Sequence, residues 1–185
     1  MERATQRYRE VARLLREHAR SDHWEAVAEP ATAEEVSAAE RALGCRFPDS
    51  YRWFQLEFGD FANGPLDIYG VRPPEPPAMN IVGINLDARR DGDPRLPPHL
   101  IAFSDSSSDC YCFDTSASEG GECPVVWWDH EGDETQRPQR AGTSFLDWLA
   151  AEVRERAAEA KWWYLRSLMS NIRGFARDVM RARAK

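Results

Sequence analysis

The chain has 185 residues, 42% of them hydrophobic and 30% charged, with a net charge of −7 at neutral pH. These proportions are those expected of a soluble globular protein, and the chain is long enough to bury a sizeable core. No apolar run approaches the roughly 18 residues that a membrane-spanning helix needs. The N-terminal stretch MERATQRYREVARLLREHAR lacks the apolar segment of a secretory leader, so a cytoplasmic location is expected.

Charge is spread unevenly. Residues 1–30 carry 6 acidic and 6 basic side chains, residues 31–150 carry 21 and 9 for a net −12, and residues 151–185 carry 4 and 9 for a net +5. A middle region of that sign makes a poor nucleic-acid binder, because phosphate contacts need Lys and Arg. It suits a basic protein partner, such as a nuclease that itself binds nucleic acid, or it serves solubility alone.

Residues 4 to 20 predict a helix with Tyr8, Val11, Leu14, Leu15 and His18 near one face, followed by a connector over 21–31. Thr32 and Glu35 form a T-x-x-E capping box for a second helix, whose apolar face carries Val36, Ala39 and Leu43 and which Gly44 ends. Pro48 opens a third helix, with an aromatic face of Tyr51, Phe54 and Phe58. Trp53 lies off that face, in a position to sit under the N-terminal helix. An Asn63-Gly64-Pro65 turn leads into a strand at Leu66–Val71, and Pro73 to Pro77 form a stiff loop. Met79–Leu86 reads as a strand and the following DARRDGDPRLPP as a polar loop. Ile101–Phe103, Cys110–Phe113 and Val125–Trp128 read as three short strands, EGDETQRPQRAG as a loop, and a helix starts near Thr143. Strands in a run, with connections too short for regular crossovers, predict an α+β fold: a mainly antiparallel central sheet of about five to six strands flanked by N- and C-terminal helices.

The segment from Glu34 to Gly70 resembles the signature of the SUKH superfamily, the Smi/Knr-like domains. Its matching positions are Glu40, Leu43, Gly44, Phe47, Pro48, Tyr51, Phe54, Asn63 and Gly64. IAFSDSSSDCYCFD (Ile101 to Asp114), PVVWWDHE (Pro124 to Glu131) and SFLDWLA (Ser144 to Ala150) are similar to later pieces of the same pattern, in the same order, over residues 30 to 152. Ser106-Ser107-Ser108 stands where the family usually has a Gly-rich turn. The resemblance implies a sheet flanked by helices and a role in protein binding. Its bacterial members are implied to include immunity proteins of polymorphic toxin systems, and its eukaryotic members to act in cell-wall signalling through protein contacts.

On that basis the chain divides into an N-terminal helix and connector (1–30), a Smi/Knr-like domain (31–152) and a C-terminal amphipathic helical extension (153–185). In the extension Trp162, Leu165, Met169, Ile172 and Val179 mark an apolar stripe with Leu168 and Phe175 beside it. That stripe suits packing back on the domain, recruiting a partner or lying at a membrane surface.

Few residues suggest chemistry. Cys110 and Cys112 are two apart, so on a strand both face one way. With Cys123 and a His they could bind zinc, but paired C-x-x-C or H-x-x-x-H spacing is absent, so buried small side chains are the simpler reading. All four cysteines, Cys45 included, fit a reducing compartment as free thiols. Asp105, Asp109, Asp114, Asp129 and His130 gather near strand ends, where turn formation explains them more simply than a metal or acid–base site. No nucleophile, P-loop, dinucleotide or metalloprotease motif is present, so neither an enzyme nor a bound cofactor or metal is expected, and a hydrolase using the Asp/His cluster is the remote alternative. The expected partner is a cognate toxin or other basic protein, not a nucleic acid or a membrane. The residues expected to meet it are the acidic Asp105, Asp109, Asp129, Glu131, Asp133 and Glu134, with Trp127 or Trp128 as an aromatic anchor.

Overall fold

A computed structural model describes residues 2–19, 29–59, 67–72, 80–106, 109–133, 135–156 and 158. Its strands form one five-stranded antiparallel sheet in the order β1-β2-β3-β4-β5, so each strand pairs with the next in sequence. They are β1 (Asp67–Ile68), β2 (Leu100–Ser106), β3 (Asp109–Asp114), β4 (Val125–Trp128) and β5 (Gln139–Gly142). With the helices around it, this is the α+β architecture that the element pattern predicts.

Helix α1 (Glu2–Ala19) buries Val11 and Leu15 and rests Tyr8 and Leu14 on the margin of the core, as its apolar stripe requires. The side chain of His18 lies outside the described set. In α2 (Ala33–Leu43) the capping box is complete: Thr32 Oγ1 accepts from Glu35 N–H at 3.2 Å, and Glu35 Oε2 accepts from Thr32 N–H at 2.7 Å. Gly44 closes the helix in the left-handed region, φ 67°, where a side chain would be strained. Helix α3 (Asp49–Glu57) begins directly after Pro48. Glu40 braces the corner between α2 and α3, accepting from Phe47 N–H at 2.9 Å through one oxygen and pairing with Arg52 through the other.

Tyr51 is the hub of the core. Its ring meets those of Phe47, Phe113 and Phe145 at centroid distances of 5.2, 5.1 and 5.3 Å, and its hydroxyl donates to the Tyr69 carbonyl. One turn later, buried Gln55 clasps the segment after β1 from both ends, donating to Tyr69 O at 3.0 Å and accepting from Val71 N–H at 3.2 Å. Trp53 lies edge-on to Tyr8 at 4.8 Å, beneath α1 as expected. The last described helix, α5 (145–156), starts where Ser144 Oγ accepts from Asp147 N–H at 3.2 Å, and it buries Phe145, Trp148, Leu149 and Val153. Arg7–Asp147 and Arg154–Glu10 strap α1 to α5, and Arg16–Glu57 straps it to α3.

Two expectations are corrected. The stretch read as a strand over Met79–Leu86, with a polar loop after it, is largely helix α4 (Ile81–Asp91). Ile81, Val82 and Ile84 suggest a strand, but Asn80 caps a helix, accepting from Val82 and Gly83 N–H at 2.8 and 3.1 Å. Asn85 then earns the helix its place beside the sheet. It is fully buried, donating to Ala102 O at 2.7 Å and accepting from Ala102 N–H at 2.8 Å. One turn on, Arg89 donates to the carbonyls of Pro98 and Leu100 at 3.0 and 3.3 Å, so α4 continues the edge of β2 that β1 leaves after Tyr69. The second correction is β5, which falls inside the stretch read as a loop. Gln139, Arg140 and Ala141 are all exposed, so the strand carries no alternating pattern.

The Asn63-Gly64-Pro65 turn, Leu66, the Pro73 to Pro77 loop and the stripe from Trp162 to Val179 lie outside the described residues.

Candidate functional site

In an antiparallel meander, the starts of odd strands and the ends of even strands share one end of the sheet. Here that end collects carboxylates. Asp67 opens β1 and pairs with Asp105 near the end of β2, Asp105 pairs in turn with Cys110, and Cys110 with Trp128. Asp109 precedes Cys110 at the start of β3, and Asp129 follows Trp128 directly after β4. The loop beyond adds exposed Glu131 and Asp133. Asp114 sits at the opposite end of β3, where its Oδ1 accepts from Ser116 N–H at 3.0 Å and caps a short 3-10 turn. Glu134 lies outside the described residues. Asp67 belongs to the row as well, although it is not among the acidic residues expected from the sequence. Its only signal was a position just after a turn, at the head of a strand.

The loop after β4 is held by its own acids. The His130 ring nitrogen Nδ1 lies 2.8 Å from Asp109 Oδ1, which also accepts from His130 N–H at 3.2 Å. Asp129 Oδ1 accepts from Glu131 N–H at 2.8 Å, and Asp133 Oδ1 from the N–H and hydroxyl of Thr135 at 2.7 and 2.6 Å. Gln136 closes the loop by donating to Asp129 O at 2.8 Å. These are the local bonds through which Asp favours turns.

The hydrogen bond from His130 holds the Asp109 carboxyl below its ordinary range, and the same bond, with the surrounding carboxylates, pushes the His130 imidazole up. Thr135 lowers Asp133. Asp105 is exposed as a residue, yet partial burial of its carboxyl, reinforced by Asp67 across the strand pair, pushes it up. Two like charges facing one another raise the affinity of that end of the sheet for a cation of any kind, including a basic side chain.

The two tryptophans separate as alternation requires. Trp128 shares a face with Cys110, Cys112 and Val126 and is buried, whereas Trp127, opposite Tyr111 and Gln139, is half-exposed. Cys110 and Cys112 do face the same way, with sulfurs 3.6 Å apart, and burial pushes the Cys112 thiol well up. Cys123 is engaged elsewhere, 3.0 Å from Ser118 Oγ. Among the described residues, Asp109, Asp129 and His130 form the one group of three possible metal ligands, with ligand atoms within 4.8 Å of one another. Asp109 Oδ1 is already taken by the His130 ring and backbone, an arrangement that locks a loop. Also among the described residues, no helix is long and apolar enough to cross a membrane.

The chain is similar to a protein from Pseudomonas syringae pv. tomato known from a crystal structure, with 20% sequence identity over 65% of this chain and 80% of that one and a TM-score of 0.49. A SUKH family model described as SMI1-KNR4 cell-wall matches residues 6–154, from α1 through most of α5. Over that span lie the capped α2, the Glu40 brace and the Tyr51 hub, and the chain belongs to this SUKH, SMI1-KNR4 family.

Proposed function

We propose that this chain is a protein-binding module that neutralises a basic toxin by occluding it, in the manner of an immunity protein. The observation that carries this reading is the row of carboxylates at one end of the sheet, Asp67, Asp105, Asp109 and Asp129, continued by Glu131 and Asp133. Half-exposed Trp127 lies one residue inside that end and supplies an aromatic anchor. Glu134 extends the same acidic run in the sequence. Fixed negative charge steers a basic partner and speeds capture, while aromatic burial slows its release. A nuclease is the fitting target, since its nucleic-acid groove is basic.

The test is co-expression with the product of the neighbouring gene, scored for a complex and for rescue of growth. A complex that weakens steeply between low and high salt, and that Glu131→Lys and Asp133→Lys weaken further, supports the reading. A toxic product that this chain neither binds nor neutralises, or a complex indifferent to salt and to both substitutions, overturns it. The family's cell-wall description favours a second reading, an intracellular regulatory or scaffold module acting through protein contacts. In that case the partner is a host regulator and no toxicity is involved.

A further inference from the structure

We propose that the groove between α1 and α3 is a second docking surface, independent of the acidic sheet end, and that it takes a short segment of a partner protein carrying an apolar side chain next to a single carboxylate. The floor of the groove is aromatic and aliphatic: Tyr8, Ala12 and Trp53. Trp53 is only partly buried, and it stands edge-on between Tyr8 at 4.8 Å and Phe58 at 5.6 Å, so its ring is fixed before anything binds. A rigid, partly open indole between two supporting rings is the kind of pocket in which binding energy concentrates.

The rim supplies the charge. Arg9, Arg13 and Arg16 recur at helical spacing along α1. Arg13 is paired with Glu17 at 3.2 Å, and Arg16 with Glu57 while its guanidinium lies over the Phe58 ring, 5.4 Å from the centroid. Among the described residues Arg9 has no ion-pair partner and is exposed. Among the described lining residues, three arginines against two glutamates leave one positive charge in excess. That balance matches one carboxylate beside an apolar anchor. It does not match a nucleic-acid strand, whose successive phosphates would meet Glu17 and Glu57. Arginine is also suited to the task, since its planar fork binds carboxylate in two places at once.

The test is selection of a random dodecapeptide library displayed on phage against the full-length protein, followed by measurement of the selected peptides free in solution. The expected result is enrichment of peptides with a bulky apolar residue flanked by Asp or Glu, whose affinity falls about tenfold or more on Arg9→Glu, an exposed change that leaves the fold intact. Trp53→Phe, which keeps a ring in place, should weaken the same peptides less than Trp53→Ala. Selected peptides that bind Arg9→Glu as tightly as the parent overturn the proposal. So does a selection with no acidic bias, or a single-stranded oligonucleotide that displaces the peptides. Glu131 is not among the described residues lining the groove, so Glu131→Lys should leave peptide binding unchanged, which separates failure here from failure of the toxin-binding reading.

Discussion

The centre of the molecule and the acidic end of its sheet both depend on polar side chains, but they use them differently. Around Tyr51, polar groups work between distant segments: Gln55 clasps the stretch after β1, Asn85 replaces a strand at Ala102, and Glu40 braces the α2–α3 corner. Each joins elements that are far apart in sequence or must meet at a fixed angle. At the acidic end most of the same chemistry is local, with Asp129 and Asp133 bonding to backbone two residues away, although Asp109 also reaches from β3 to His130. The first kind of bond specifies a fold, so its loss is costly. The second shapes a loop and leaves charge free to face a partner, so its loss should be felt mainly in recognition.

Substitutions can break that contrast, and they fall in a definite order. Asn85→Ala should have the largest effect, because it strands the N–H and C=O of Ala102 in the core; about 3 kcal/mol is expected from denaturant unfolding. Gly121→Ala comes next. Gly121 has φ +86°, and an added Cβ would stand 2.5 Å from Asp49 Oδ2, in the turn whose carbonyl accepts from Asp49 N–H. About 2 kcal/mol is expected by the same measurement. Thr32→Ala removes the α2 cap and should cost about 1 kcal/mol, seen as a lower denaturation midpoint at unchanged slope. Glu131→Lys should lie within about 0.5 kcal/mol of the parent in stability while weakening binding of a basic partner. A substitution at the acidic end as destabilising as Asn85→Ala would dissolve the distinction.

The smallest effect is one of pH, and it sharpens the comparison. His130 has a raised pKa, so its share of the loop lock is fully present below the ordinary value of 6.5 and lost as pH rises through the raised one. Asp109 has a lowered pKa, so its share is present above 3.8 and lost as pH falls through the depressed value. The charged pair is therefore strongest between those limits. In NMR titration, Asp109→Asn should bring the His130 imidazole back down toward its ordinary value. An unchanged titration would show that the ring is not held by Asp109.

What the sequence revealed follows the same division between local and distant. The Thr32–Glu35 box, the Gly44 stop and the aromatic face of α3 were legible because each is settled within one or two helical turns. Helix α4 was not: Ile81, Val82 and Ile84 favour strands by composition and outweighed the local Asn80 cap, and the bonds that seat the helix run from Asn85 to Ala102 on another element. The acidic charges could be counted beforehand. Their alignment could not, because it depends on the register that sets Asp67 against Asp105.

The last strand of the described sheet bears on how the protein behaves in a crowded solution. An unpaired strand edge is a template on which another chain can add itself. β5 is only four residues long, carries Arg140 in its middle and is preceded by Pro138, which has no N–H to offer. Brevity, a charge and a missing donor make that edge a poor seed for intermolecular pairing. The features that hid β5 from a reading of the sequence are thus also those that guard the sheet against aggregation.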